Sequence, residues 1–261
     1  MLDLIAAHPT SNSPRCESRD LCAEVVARAS LTPLDRREMY RLLETYFTNT
    51  SFAQFEQDLA EKDVVILLRE PFESSVVGFS TLMTIRARVA GRNVAGFFSG
   101  DTIIAREYWG SSLLGRAWLK TVFEETDRMH GFAPETLTYW FLISSGYKTW
   151  RYLPIFFRQY LPHPEENAAA FDNAVLRALA TQKFGRQYDQ RKGIVHLDRA
   201  NPLRSGVADI TDQRLRDPMV EFFVRMNPGH AEGDELACIA PISRSNLTRA
   251  GIRLLSAGVG S

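Results

Sequence analysis

Three stretches of this sequence place side chains where they can do chemistry. Asp101 interrupts an apolar run, Phe97-Phe-Ser-Gly-Asp-Thr-Ile-Ile104. A carboxylate in such a run is either a site group able to take a proton or a polar residue at a sheet edge. Further on, Asn227-Pro-Gly-His-Ala-Glu-Gly-Asp-Glu235 uses two glycines and a proline to hold His230, Glu232, Asp234 and Glu235 on one tight loop. That loop reads two ways: His230 as a base oriented by a carboxylate, or a solvated turn. Its His-x-Glu-x-Asp spacing is not that of a zinc ligand set, so no metal is expected there. The third stretch, Glu107-Tyr-Trp-Gly-Ser-Ser-Leu-Leu-Gly115, turns an apolar strand abruptly into a helix. Gly110 ends the strand, and Ser111 or Ser112 can cap the helix. The unpaired backbone N–H groups of such a turn suit a phosphate or pyrophosphate, although many turns of this shape bind nothing.

The elements that must position these groups follow from pattern. Glu24 to Ser30 reads as a short strand, and Thr32-Pro-Leu-Asp35 as a capping box with proline at the first helical position. Met39, Leu42, Leu43 and Tyr46 share one face of the helix that follows, and Phe52, Phe55 and Leu59 one face of a second. Asp63–Arg69 and Val76–Arg86 are strand-like, and Ala90-Gly-Arg-Asn93 turns the latter back into a hairpin with 94–106. A helix over 111–130 is expected to end at His130-Gly131 with a left-handed glycine cap. Thr136–Ile143 is a further strand, followed by an aromatic-rich helix, Tyr147–Tyr160, interrupted at Pro154. Beyond it come a helix over 165–182, a strand over 193–198, a helix around 217–225 and a buried strand over 236–241. Short turns imply antiparallel neighbours, whereas the strand–helix–strand unit over 97–143 requires a right-handed parallel crossover. The expected fold is therefore α/β, with a mixed, mostly antiparallel central sheet flanked by helices and a C-terminal α/β extension. Residues 1–22, rich in Ser and Pro, read as a flexible arm, 23–162 as the main domain, and 163–261 as the extension packing on its acceptor side.

Composition narrows the class. With 45% apolar and 24% charged residues the chain is an ordinary globular one. Lys+Arg and Asp+Glu both number 31, so no net field draws it to nucleic acid. No apolar run is long enough to span a membrane. The odd count of 3 cysteines favours a reducing compartment, and a cytoplasmic enzyme is the expectation.

The order of elements and the Glu107–Gly115 turn resemble the GNAT superfamily, the Gcn5-related N-acyltransferases, over roughly residues 24–162. That family's loop reads Gln/Arg-x-x-Gly-x-Gly/Ala. Trp109 stands where the Gln/Arg belongs, Gly110 matches a glycine that often follows it, and Ser112 and Leu114 occupy the two small-residue positions. The resemblance implies a phosphopantetheine thioester as donor, either acyl-CoA or acyl carrier protein. It would be held by Ile103 and Ile104 of the strand and by Trp109, Gly110, Ser111, Ser112 and Leu113 of the turn. Leucine in place of Gly/Ala departs from the acetyl-CoA pattern and points to a longer acyl group, as in the N-acyl amino acid synthase-like branch. The acceptor would be a small-molecule amine. A second family motif, Asn-x-x-Ala-x-x-x-Tyr, survives here only in its tyrosine, with Ser145 and Lys148 at the other two positions and Tyr152 at the last. The resemblance makes Tyr152 the acid that protonates the leaving thiolate, whereas the spacing of Tyr152, Phe156 and Tyr160 is also that of a core-facing stripe. Transfer to an amine also needs a base, for which Asp101 and His230 are the candidates. A non-catalytic GNAT-fold module that binds a thioester or lipid is the competing expectation. Arg106, Arg116, Lys120, Lys148 and Arg151 are available for the donor's phosphates or an acidic carrier, or form a solvated face.

Overall fold

The computed structural model describes residues 21–165, 169–198 and 201–256, so all but the end of the expected N-terminal arm lies outside the described residues. Strand β1 (Cys22–Ala27) is followed by helices α1 (Pro33–Tyr46) and α2 (Phe52–Ala60), then by β2 (Val64–Arg69), β3 (Val76–Val89) and β4 (Arg92–Ile104). The capping box forms as the sequence requires. The Thr32 hydroxyl accepts from Asp35 N at 3.1 Å, and the Asp35 carboxylate accepts from Thr32 N at 2.9 Å. Between β3 and β4 the turn residues Ala90 and Gly91 take φ of 45° and 80°, which gives the strand twist a tight two-residue hairpin.

Helix α3 (Leu113–Phe132) then crosses over to β5 (Leu137–Ser144), which lies parallel to β4. The expected glycine cap at 131 is not used. The helix passes through Gly131 and stops at Ala133, whose N–H donates to Met129 O at 2.8 Å, immediately before Pro134. The aromatic segment is also divided differently. It forms α4 (Tyr147–Trp150) and α5 (Tyr152–Phe156), joined at Arg151. Pro154 sits within the first turn of α5, where its missing N–H has no intrahelical partner to lose.

The remainder supplies α6 (Ala170–Phe184), the hairpin of β6 (Tyr188–Asp189) and β7 (Ile194–Val195), α7 (Asp212–Leu215), α8 (Pro218–Met226), β8 (Glu235–Pro241) and α9 (Arg249–Ser256). All strands join one sheet in the order β1-β2-β3-β4-β5-β8-β7-β6. Among the described residues β4–β5 is its parallel pair and the other neighbours are antiparallel, so the expected mixed, mostly antiparallel α/β class is the fold observed. The sheet face carrying Ile66, Phe97, Trp140 and Cys238 packs against α3, α4, α5 and α8. The other face is covered in two separate patches. α1 and α2 cover Val65, Leu67, Phe79 and Ile103, and α6 covers Val94, Phe98, Phe141 and Ile239. Cys238 is buried and free, whereas Cys22 is disulfide-bonded. With Cys22 in a disulfide, the odd cysteine count is no argument for a reducing compartment.

Candidate functional site

The parallel pairing of β4 and β5 runs from Val94↔Leu137 to Ser99↔Leu142 and stops. Beyond that point β4 continues along β3, with Thr102 opposite Ser80 and Ile104 opposite Gly78. β5 continues along β8, with Ser144 opposite Leu236. The two strands thus part in the middle of the sheet and leave the facing edges of 100–104 and 143–144 without a strand partner. The parting coincides with an irregularity in β4, where Gly100 and Asp101 together stand opposite Thr81. Gly100 is required there by close approach. A Cβ at that position would lie 2.8 Å from Thr81 Oγ1 and 3.1 Å from Lys62 Cε.

A cavity of about 560 Å³ opens at this parting, in the gap between the α1–α2 patch and the end of α6. That volume suits a drug-sized or cofactor-sized ligand. Its walls include Tyr46 and Lys62 from the α1–α2 side and Lys183 and Phe184 from α6. Asp101, Ile103, Ile104, Trp109, Lys148 and Tyr152 also line it, as does Glu235 at the start of β8.

Charge is concentrated at its inner end. Burial raises the pKa of Asp101, with Lys62 opposing the rise and Asp58 adding to it. Lys62 is only 7% exposed. Burial holds its pKa below the ordinary lysine value and Lys183 lowers it further, while Asp101 works against the shift. Its Nζ lies 5.3 Å from the centre of the Phe98 ring, and Lys183 is engaged with Glu61. Glu235 forms part of the cavity wall and keeps partial exposure there, yet the protein around its carboxyl pushes its pKa up to about 8. Burial is the main cause, with Asp101 and Asp234 contributing, against hydrogen bonds from the Ser145 hydroxyl and backbone. A carboxylate tuned this close to neutral pH is suited to take and return a proton. Burial likewise raises the Tyr152 phenol, so it keeps its proton throughout the neutral range.

At the mouth, Trp109 folds back over the end of β4, its Nε1 donating to Ile104 O at 2.9 Å. Lys148 Nζ stands 4.0 Å from the centre of the Trp109 ring and donates to Val207 O at 2.6 Å. Burial and the nearby Arg106 lower its pKa. The turn itself departs from the expected cap in detail. The Ser111 hydroxyl accepts from Leu113 N at 3.2 Å, while Ser112 is already in helical conformation and makes no side-chain cap. Gly110, Ser111, Ser112 and Leu113 lie just outside the cavity wall, which Trp109 reaches.

No family model matches the sequence, and no curated protein matches it. Solved structures do superpose in part. A conserved protein of Enterococcus faecalis V583, described as a probable N-acyltransferase, is 12% identical over 51% of this chain, with a TM-score of 0.38. The aligned region spans only 31% of that protein's length. The GNAT family N-acetyltransferase YhbS of Escherichia coli, solved with CoA, is 18% identical over 52% of this chain and 69% of its own, with a TM-score of 0.34. Glucosamine-6-phosphate N-acetyltransferase of Arabidopsis thaliana is 12% identical over 50% and 88%, with a TM-score of 0.37. At these scores the likeness assigns neither family nor activity to this chain.

Of the residues singled out in the sequence, the cavity brings together Asp101, Ile103, Ile104, Trp109 and Tyr152. Ile103 turns its side chain into the core under α1 and α2, and Ile104 packs towards α3, so what either offers the parted edge is backbone. His230 is not brought to the cavity wall. Its ring rests 5.8 Å from that of Phe223, and burial lowers its pKa, with Glu232 opposing. Nor does Asp234 orient it, because that carboxylate meets His196 Nδ1 at 2.6 Å. From the same loop it is Glu235 that reaches the cavity, together with Lys62, which the sequence pattern did not single out. Among the described residues no three His, Cys, Asp or Glu side chains converge as a metal site. No described helix is long and apolar enough to cross a membrane.

Proposed function

We propose that this chain is an N-acyltransferase of the GNAT kind, moving an acyl group longer than acetyl from a phosphopantetheine thioester, of CoA or of acyl carrier protein, to a small-molecule amine. The observation that carries the reading is the parting of β4 and β5 over a cavity that gathers Tyr152, Asp101 and Glu235. In this reading the unpaired backbone groups along 100–104 hydrogen-bond the extended donor arm, as a missing strand would. The first-turn amides of α3, with Arg106 and Lys148 near the cavity mouth, meet its phosphates. Residues 23–162 form the donor side, and Lys183, Phe184, Leu197 and Glu235 of the later segment wall the acceptor side.

Glu235 takes the proton that leaves the amine neutral, and Asp101 helps keep that carboxyl's affinity for a proton high. Attack forms the new C–N bond and a tetrahedral oxyanion. Collapse breaks the C–S bond, the Tyr152 hydroxyl gives its proton to the departing thiolate, and the phenolate left behind takes up the proton that the new amide nitrogen sheds. Lys62 balances the ionised form of Asp101.

A thiol-release assay with acyl-CoAs and a panel of small amines tests the proposal. Amine-dependent release that falls in Glu235→Gln and Tyr152→Phe is the expected result. Thioester binding without release from any amine would favour a non-catalytic binding module, and no binding would overturn the reading.

A further inference from the structure

A second, smaller chamber of about 40 Å³ lies on the opposite side of the parted strands, under α3. It shares Gly100, Thr102, Ile104, Ile143, Thr149 and Tyr152 with the large cavity, so the two adjoin through the gap between β4 and β5. Its end is closed by Leu114, Gly115, Trp118, Trp140, Leu142 and Phe156. Most polar side chains of its wall are engaged with one another. Ser80 and Thr102 hydroxyls meet at 2.8 Å, and Trp140 Nε1 donates to Ser99 Oγ at 2.5 Å. Trp118 Nε1 is buried there without a partner. A lining of this kind favours an apolar occupant over a polar one.

We infer that this chamber receives the tail of the acyl group and limits its length, so that the preferred donor carries a propionyl or butyryl group. The inference rests on the acyltransferase reading above, and it bounds the chain length that reading leaves open. With the thioester carbonyl carbon in the gap beside Tyr152, the atoms beyond it enter the chamber. A cavity needs about 10–15 Å³ to admit even one water, so a chamber of about 40 Å³ has room for only a few non-hydrogen atoms. Acetyl leaves most of that space empty, and hexanoyl overfills it. The end wall cannot retreat freely. The Trp118 and Trp140 rings stand 4.4 Å apart centre to centre, and Phe156 is 5% exposed. Gly115 sets one side of the chamber, because a Cβ there would come within 3.3 Å of Phe156 Cζ.

The test is a chain-length series of acyl-CoAs, acetyl through decanoyl, with kcat/KM read by thiol release and affinity by competition against CoA. The unsubstituted protein should peak at propionyl or butyryl and lose at least about tenfold by hexanoyl, the scale expected when extra methylenes are forced into a packed wall. Gly115→Ala should lower the butyryl-to-acetyl ratio, and Phe156→Leu should raise the hexanoyl-to-butyryl ratio. Ratios within one protein cancel any general loss of folded enzyme. A flat profile, an optimum at octanoyl or longer, or ratios unmoved by both substitutions would overturn this inference while leaving the acyltransferase reading intact. Failure to bind or turn over any acyl-CoA would overturn both.

Discussion

Replacing Glu235 by glutamine should change how the stability of this protein depends on pH. In the folded chain the Glu235 carboxyl titrates near 8, against 4.5 for an ordinary glutamate, chiefly because it is buried. Below pH 4.5 the folded and unfolded chains both hold the proton, and the side chain adds no pH dependence. As pH rises towards 8 the unfolded chain has released the proton and the native one still holds it, so stability falls by about 1.4 kcal/mol for each pH unit. Between pH 4.5 and pH 7 the upper bound of the loss is about 3 kcal/mol. Above the folded pKa the loss levels off. Glutamine keeps the shape and can still accept from Ser145, but it does not titrate. Urea unfolding at constant ionic strength from about pH 5 to about pH 8 should therefore show the variant gaining on the wild type by roughly 1 kcal/mol per unit, with the gain flattening above about pH 8. Asp101 shifts in the same direction, but it is present in both proteins and largely cancels. A stability difference that does not vary with pH would mean that Glu235 is an ordinary carboxylate, and its assignment as the base would fall with it.

The other expectations follow from the same geometry. Tyr152→Phe should lower kcat while leaving donor affinity nearly unchanged, since its hydroxyl is asked to act only as the thiolate leaves; a lowered melting temperature with normal turnover would return it to the core. Gly100→Ala should destabilise by about 1–3 kcal/mol in chemical denaturation, because Thr81 and the Lys62 stem must move aside. His230→Ala should leave in place the limb on which the rate rises with pH towards about 8, whereas Glu235→Gln should remove it; the opposite pattern would restore the imidazole as base. Ser112→Glu, beside the amides of α3, should weaken CoA binding by at least about tenfold, or roughly 1.4 kcal/mol, measured by calorimetry.

Much of the scaffold was legible because it is written in local patterns. The capping box at Thr32, the Ala90-Gly91 hairpin and the crossover from β4 through α3 to β5 each depend on residues close in sequence. Asp101 stood out for the same reason, as a carboxylate in an apolar run. The candidate site was only partly legible because the groups that line it meet through long-range pairing. Glu235 meets Ser145 because β8 inserts beside β5, and nothing in the 227–235 loop distinguishes it from Glu232 or Asp234. The same loop leaves His230 against Phe223 and outside the cavity wall. Lys62 reads as a charged residue at a helix end, and only the fold reveals that Gly100 lets its ammonium lie against β4. Helix ends were misplaced where two signals competed, as at Gly131, which continues α3 because Pro134 supplies the stop.

The most direct test of the account is a crystal structure of the protein with CoA bound. In the expected complex the pantetheine arm lies in the gap between β4 and β5, hydrogen-bonded to the backbone of 100–104, with its sulfur within reach of the Tyr152 hydroxyl and its pyrophosphate at the start of α3. CoA bound elsewhere on the molecule, or a gap left empty at saturating CoA, would contradict it.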